Sequence, residues 1–190
     1  MENLPKGALI VAAKHQSTWE TFALLRLFDD FTFIVKRELM WIPIFGWCMW
    51  KGGMVPVDRG AGSQALTNMT ARAKQEIRGG RQLIIFPEGT RRRPGAEPRY
   101  KFGVAHLYAE VGVPCVPVAL NSGLFWPRRA LLRLPGTIVV EFLPPIMPGL
   151  DKDVFLRRLQ DDIETATARL LAEGEAELKS LGVRSAGDGR

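Results

Sequence analysis

Cysteine and histidine are scarce in this sequence, since each occurs only twice in 190 residues. The cysteines, Cys48 and Cys115, lack the spacing of a metal-binding motif and show no disulfide framework, so they fit a reducing compartment such as the cytosol. The opening residues do not form a basic segment followed by an apolar one, so we expect no signal peptide. No run reaches the roughly 18 apolar residues that a membrane-spanning helix needs. These absences argue against a disulfide-stabilised secreted domain.

The composition is that of a folded domain. Hydrophobic residues make up 46% of the chain and charged residues 24%, which are ordinary values. A chain of this length is most simply one domain with a core of its own. We expect residues 1–182 to form that domain and residues 183–190 to form a disordered tail.

The charge of the chain narrows the class of partner. The formal net charge is +6 and the sequence pI is about 9.7. A basic surface suits nucleic acid, an anionic membrane or a phosphorylated substrate. No nucleic-acid-binding motif occurs, so we expect no nucleic-acid partner.

The most informative stretch begins at His15 and ends at Glu20. On one continuous helix these side chains would point roughly 140° apart. They can meet only if His15 lies in the turn before a helix and Glu20 lies in its first turn, with Ser17 or Thr18 as the N-cap. A histidine held by a carboxylate is a candidate general base. Ser17-x-x-Glu20 is also a capping box, in which Glu20 would only satisfy backbone N–H groups, and both interpretations stay open.

Strands and helices are predicted to alternate along the chain. Apolar and β-branched runs predict strands at 8–13, 31–35, 54–57, 83–86, 113–120 and 137–142. An amphipathic pattern predicts a final helix from Asp153 to about Leu181. We therefore expect an α/β fold with a mostly parallel central sheet, a single layer flanked by helices. Because His15, Arg59 and Glu88 each follow a predicted strand, we expect them to converge at one edge of the sheet, where such folds bind ligands.

Four blocks of residues, in this order, resemble the motifs of the glycerolipid acyltransferase family. The third block, Phe-Pro-Glu-Gly-Thr-Arg, is the most specific and matches without a change. The blocks are His15-x4-Glu20, Gly53 to Arg59, Phe86 to Arg91, and Val116 to Asn121. The resemblance covers roughly residues 8 to 145. It implies the same α/β fold that the alternation of strands and helices predicts.

The resemblance implies transfer of an acyl group from a thioester of coenzyme A or acyl carrier protein to the 2-hydroxyl of lysophosphatidic acid. The product would be phosphatidic acid, an intermediate of phospholipid biosynthesis, and no metal or cofactor is implied. The implied site residues are His15 as the base, Glu20 as the group that orients it, Arg59 and Arg91 as ligands of the acceptor phosphate, and Glu88 and Gly89 as groups that position the acceptor. Another lysolipid or glycerol 3-phosphate as the acceptor, and a non-catalytic membrane-binding module, remain alternatives.

The first block departs from the usual family pattern at two positions. Lys14 stands where the family usually has Asn, and Glu20 stands where it usually has Asp. Glu20 keeps the charge but adds a methylene group, so its backbone must lie slightly further from the imidazole. Family members also commonly have an N-terminal membrane anchor before this block. Because only 14 residues precede His15, we expect this chain to lack that anchor.

Residues 39–50 combine three tryptophans, Trp41, Trp47 and Trp50, with almost no polar side chain. A core helix is one interpretation. A segment that lies in one membrane leaflet is the other, because tryptophan favours the interface and flanking cations favour anionic headgroups. On the second interpretation we expect a peripheral or monotopic protein at the cytoplasmic face of the inner (cell) membrane.

Two further features have simpler interpretations. The second histidine, His106, lies in a predicted helix without a partner at ligand spacing and is expected to be structural. Residues 124–129 mix apolar bulk with cations, so they form either a second membrane contact or a solvated loop.

Overall fold

The computed structural model describes residue 5 and residues 7–58, 60, 62–128 and 130–183. Strands and helices alternate along these ranges, as the sequence predicts. The strands are β1 (Leu9–Ala13), β2 (Phe31–Lys36), β3 (Val55–Val57), β4 (Gln82–Ile85), β5 (Cys115–Leu120) and β6 (Val140–Phe142). The α-helices are α1 (Trp19–Ala23), α2 (Phe45–Lys51), α3 (Gly62–Arg78), α4 (Gly103–Val111), α5 (Ser122–Phe125) and α6 (Lys152–Ser180), and two 3-10 helices span Leu24–Arg26 and Arg37–Trp41.

The strands form one mostly parallel sheet in the order β3-β2-β4-β1-β5-β6. β1 lies inside the sheet, where Ile10 pairs with Leu83 of β4 on one side and with Cys115 of β5 on the other. β6 runs antiparallel beside β5, whereas the other described strand pairs are parallel. The predicted α/β class is confirmed.

Helices cover both faces of the sheet because the side chains of a strand alternate between them. Leu9, Val11 and Ala13 pack on one face against residues that follow α1, such as Phe28. Ile10 and Ala12 pack on the other face among side chains of α3, α4 and α6. All five residues of β1 are fully buried, which explains why this strand reads as a continuous apolar run.

The final helix, α6, docks on the domain as its amphipathic pattern predicts. Asp151 caps it, since its Oδ1 accepts the backbone N–H of Asp153 at 2.9 Å. The Phe155 ring stacks on Tyr108 of α4 with centroids 3.8 Å apart. In this position α6 packs against β5 of the sheet and against α4.

The start of the predicted tail is ordered, because the N–H of Val183 donates to the Leu178 carbonyl at 3.0 Å. The rest of the predicted tail, residues 184–190, lies outside the described residues.

The core-helix interpretation of residues 39–50 is wrong for the tryptophans. The segment breaks at Pro43 and Ile44, where Ile44 has a φ of 67°, and separates a 3-10 turn from α2. Trp41, Trp47 and Trp50 are 77%, 58% and 69% exposed. The α2 surface, defined as Trp41, Ile44, Trp47 and Trp50, is therefore an exposed apolar patch.

α2 contacts the rest of the protein through one narrow face. Met49 is buried, and Gly46 lies so close to the Met40 carbonyl that a Cβ atom would overlap it. The described part of the chain contains no helix that is both long enough and apolar enough to cross a bilayer.

Neither interpretation of residues 124–129 fits Leu124 and Phe125, although Trp126 is 37% exposed. Leu124 and Phe125 are 8% and 3% exposed and pack against Leu178 of α6. Burial in the core removes these side chains from membrane and solvent alike. Arg129 lies outside the described residues.

Candidate active site

Three loops meet at the carboxyl edge of the sheet. They follow β1, β4 and β5, which are parallel neighbours and therefore end at the same edge. The first loop carries His15 and the second carries the Phe86–Arg91 block. A backbone hydrogen bond from the Arg92 N–H to the His15 carbonyl, at 2.8 Å, joins these two loops directly.

The structure brings His15 and Glu20 into contact. His15 lies in the turn before α1, Glu20 lies in the first turn of the helix, and His15 Nδ1 is 3.0 Å from Glu20 Oε1. The same oxygen accepts the backbone N–H groups of Gln16 at 2.8 Å and Ser17 at 2.7 Å. Because a carboxylate oxygen surrounded in this way can only accept, Nδ1 carries the proton and Nε2 is left as the basic nitrogen.

Helix capping and histidine orientation are therefore not alternatives here. The bond from the Ser17 N–H to Glu20 is one half of a capping box. Ser17 Oγ accepts the Trp19 N–H at 3.1 Å, whereas the Thr18 side chain makes no cap bond. One buried carboxylate starts the helix and holds the imidazole at the same time.

Ser122 completes the surroundings of Glu20, and the sequence alone did not indicate it. Its hydroxyl donates to Glu20 Oε2 at 2.7 Å, and both residues are fully buried. Nearby, the Gly123 N–H donates to Gln16 Oε1 at 3.0 Å. The only signal for Ser122 in the sequence is its position just after the fourth block, at the end of a strand.

The imidazole ring is also fixed from its flat side. His15 stacks on Phe86, with ring centroids 3.9 Å apart and planes inclined by 15°. The His15 side chain keeps 14% of its surface exposed. The ring is thus confined in orientation while remaining accessible from the cleft that it lines.

Glu88 is buried and faces the protein. Its Oε2 accepts the His15 backbone N–H at 3.2 Å, and its Oε1 lies 3.1 Å from Lys14 Nζ. Burial raises the pKa of the Glu88 carboxyl, while the Lys14 ammonium opposes that increase. Glu88 therefore holds the backbone of His15, as Glu20 holds its ring.

Lys14, which departs from the family pattern, has partners that the local sequence did not indicate. Its Nζ lies 2.7 Å from Glu164 Oε1 on α6, and the Tyr100 hydroxyl donates to the same oxygen at 2.9 Å. No local pattern signals this cluster, because Lys14 and Glu164 are 150 positions apart.

Four arginines gather beside His15. Arg91, Arg92, Arg93 and Arg128 line a depression of about 280 Å³. Arg91 donates to Thr18 Oγ1, and its carbonyl accepts from Arg128 at 3.0 Å. The other predicted phosphate ligand, Arg59, lies outside the described residues.

A cleft of about 640 Å³ opens at His15. Its lining includes Gly89, which turns the third block with a φ of 66°, and the cations Lys36, Lys101, Arg91 and Arg128. Its interior is apolar and runs between the sheet and helices α3 and α4, lined among others by Ile34, Val57, Leu66, Met69, Ile85 and Val104. A cleft lined by both cations and apolar side chains suits an amphiphile that carries an anionic group.

These features define an α/β enzyme site in which buried carboxylates hold a histidine at the mouth of a cleft. Comparison with known proteins identifies its class. The family model described as Acyltransferase matches residues 1–121. The chain belongs to this acyltransferase family.

Named relatives agree with that assignment. The 1-acyl-sn-glycerol-3-phosphate acyltransferase of Pseudomonas aeruginosa is 35% identical over 173 residues, which cover 91% of this chain and 67% of that protein. The Saccharomyces cerevisiae protein of the same name is 33% identical over 158 residues, covering 80% of this chain and 52% of the yeast protein. The chain thus spans about two thirds of the first and about half of the second.

A solved structure shows the same fold. The crystal structure of the 1-acyl-sn-glycerophosphate (LPA) acyltransferase PlsC from Thermotoga maritima superposes with a TM-score of 0.75 at 26% identity. The match covers 89% of this chain and 69% of the Thermotoga chain.

We expect Ser122→Ala to slow acyl transfer by roughly 10- to 100-fold, since a hydrogen bond to a charged group contributes about 1.5–3 kcal/mol. The loss leaves Glu20 short of one donor and loosens the imidazole. Steady-state kinetics measure the effect, with Ser63→Ala on the exposed side of α3 as the matched control. An unchanged kcat in Ser122→Ala would show that this hydrogen bond does not support the site.

Proposed function

We propose that the protein transfers an acyl group from a thioester to the 2-hydroxyl of lysophosphatidic acid and so forms phosphatidic acid. The observation that carries the proposal is the His15–Glu20 contact beside a cleft that is lined by cations and by apolar side chains. The names of the relatives in Pseudomonas aeruginosa and yeast support the choice of acceptor.

In the proposed mechanism His15 acts as the general base. Its Nε2 accepts the proton of the acceptor hydroxyl while the oxygen attacks the thioester carbonyl carbon. Glu20 stabilises the imidazolium that forms. The tetrahedral intermediate then collapses, the carbon–sulfur bond breaks, and the imidazolium returns the proton to the departing thiolate. A thiol with a pKa near about 8.5 is a good leaving group, so no nucleophile from the enzyme is required.

The phosphate of the acceptor is proposed to bind to cations that line the cleft. Arg91 lines both the cleft and the arginine depression, and a guanidinium matches phosphate oxygens in geometry and charge. Arg59 is proposed as a second ligand from its place in the sequence block. Gly89 lets the backbone approach the acceptor closely, and Glu88 positions it indirectly by holding the backbone of His15.

The donor is proposed to be an acyl thioester of coenzyme A or acyl carrier protein, with its chain in the apolar part of the cleft. A volume of about 640 Å³ is within the usual range for a ligand pocket, about 300–1,000 Å³. The side chains that line the interior carry no charge, so they favour an alkyl chain over a polar group.

We further propose that the protein works at an anionic membrane surface, as a peripheral or monotopic protein of the cytoplasmic face of the inner (cell) membrane. The α2 surface is apolar and exposed, and tryptophan prefers the membrane interface. Lys51, which follows the segment in the sequence, lies over the Trp47 ring, 4.2 Å from its centroid. Lys36 and Arg37 precede the segment in the sequence. Cations beside an apolar patch favour anionic lipid. Leu39, next to this surface, also lines the cleft.

His15→Ala is expected to lower thiol release from acyl-CoA or acyl carrier protein, in the presence of lysophosphatidate, by at least roughly 100-fold, because general base catalysis contributes about 10²–10⁴-fold. The chain offers a matched control in His106→Ala, which removes the other histidine. The proposal fails if His15→Ala turns over at the wild-type rate, or if the wild type releases thiol at the same rate without the acceptor.

Arg91→Ala is expected to raise the KM for lysophosphatidate by roughly tenfold or more, since charge-assisted hydrogen bonds to phosphate contribute about 1.5–3 kcal/mol. The KM for the thioester should change much less. Arg72→Ala, an exposed arginine of α3, controls for loss of net charge. Equal increases in both KM values would argue against phosphate binding by Arg91.

A variant that combines Trp47→Ser and Trp50→Ser is expected to bind vesicles containing phosphatidylglycerol at least roughly tenfold more weakly, because it removes apolar area that enters the membrane. Flotation of protein with the vesicles measures binding. The matched control combines Leu131→Ser and Leu132→Ser, since these leucines are 101% and 72% exposed but lie outside the α2 surface. If only the leucine control loses binding, the membrane contact lies at residues 131–132 and not at the α2 surface. If the wild type stays in the soluble fraction, the proposed membrane binding is refuted.

A further inference from the structure

A buried cluster of charges lies directly behind His15. The Lys14 side chain is 3% exposed and that of Glu88 is fully buried, and their charged atoms are 3.1 Å apart. The Lys14 ammonium also lies 2.7 Å from Glu164, which is 26% exposed. The three side chains come from the loop after β1, the loop after β4 and helix α6, so the cluster joins α6 to both catalytic loops.

The cluster has two carboxylates and only one cation. The remaining donor in contact with Glu164 is the Tyr100 hydroxyl. Burial and the nearby carboxylates raise the pKa of Tyr100, so it stays protonated and donates. Among the residues that the structure describes, Lys14 is thus the cation in contact with both Glu88 and Glu164. A buried carboxylate that loses its cation takes up a proton or disturbs the fold.

The ionisation of Glu88 matters because Glu88 contacts the backbone of His15. An ionised carboxylate accepts the His15 N–H with Oε2 while Oε1 faces Lys14. The groups around Glu88 are Lys14 and the His15 N–H from the loop after β1, Glu164 from α6, and Tyr100 from the segment before α4. Burial and Glu164 raise the pKa of Glu88, whereas Lys14 and the His15 N–H lower it.

We propose that Lys14 and Glu164 are positioning residues for the acyl transfer reaction. Lys14 keeps Glu88 ionised against the His15 backbone, and Glu164 anchors the Lys14 ammonium from α6. The inference rests on the proposed function only in that His15 is the base whose position is controlled. Neither residue touches the substrate in this account.

The proposal predicts opposite effects for the two charges. Lys14→Met removes the cation, which raises the pKa of Glu88, so the low-pH limb of kcat/KM moves to higher pH. Glu164→Gln removes a negative charge and keeps an oxygen for Tyr100, which lowers the pKa of Glu88, so that limb moves to lower pH or stays in place. A purely structural defect would not change sign between the two variants.

The kinetic experiment measures kcat, KM and the pH profile for the wild type, Lys14→Met, Glu164→Gln and the double variant. We expect Lys14→Met to lower kcat by at least roughly tenfold with little change in KM for the thioester, since a disordered base affects the chemical step more than binding. The double variant should recover part of this loss, because it removes both charges of the pair.

Thermal unfolding across pH gives a second readout that does not depend on activity. A carboxyl group with a raised pKa in the folded state destabilises the fold above that pKa, and the penalty disappears as the pH falls through it. Lys14→Met should therefore lower the Tm by roughly 10 °C near neutral pH, and this deficit should shrink as the pH falls through the raised pKa of Glu88. The double variant should recover part of the Tm at neutral pH.

Three results would overturn the proposal: wild-type kcat and pH profile in Lys14→Met, a shift of the low-pH limb in the same direction in both single variants, or strictly additive effects in the double variant. A wild type without transfer activity would refute the proposed function instead. In that case the thermal unfolding series still tests the proposed role of Lys14 and Glu164. A Tm deficit of Lys14→Met that does not depend on pH, with no recovery in the double variant, would refute that role.

Discussion

The buried carboxylate of Glu20 is the interaction on which the rest of the site depends. It accepts hydrogen bonds from the His15 ring, from the backbone of Gln16 and Ser17, and from the Ser122 hydroxyl. A fully buried carboxylate without such partners would cost several kcal/mol. Because four donors meet it here, the same charge begins α1, joins the ends of β1 and β5, and fixes the protonated nitrogen of the imidazole.

A second buried carboxylate, Glu88, contacts the backbone of His15. Glu20 controls the ring and Glu88 the backbone N–H, so the position of the ring depends on two loops and, through Lys14 and Glu164, on α6. The stacking of Phe86 on the imidazole adds a third constraint from the block that also carries Arg91. The histidine is thus held at its Nδ1, at its backbone N–H and on a face of its ring.

The alternation of strands and helices and the turn that brings His15 to Glu20 were predictable, because both follow from local patterns of burial and capping. The partners of these residues were not. Ser122 is 102 positions from Glu20, and nothing near either residue indicates the contact. The exposure of Trp47 was ambiguous for another reason, since an apolar segment suits a core and a membrane surface equally well. Pro43 and Gly46 are the residues in the segment that disfavour one continuous helix.

The protonation of the His15 ring tests the central claim most directly. Nitrogen-15 NMR of the histidine side chains distinguishes Nδ1–H from Nε2–H, and His106→Ala assigns the two rings because the chain has only two histidines. The account predicts that neutral His15 carries its proton on Nδ1, with Nε2 unprotonated, and that Glu20→Gln weakens this preference. A neutral His15 with its proton on Nε2 would contradict the account, because the nitrogen facing the acceptor hydroxyl could then not accept a proton.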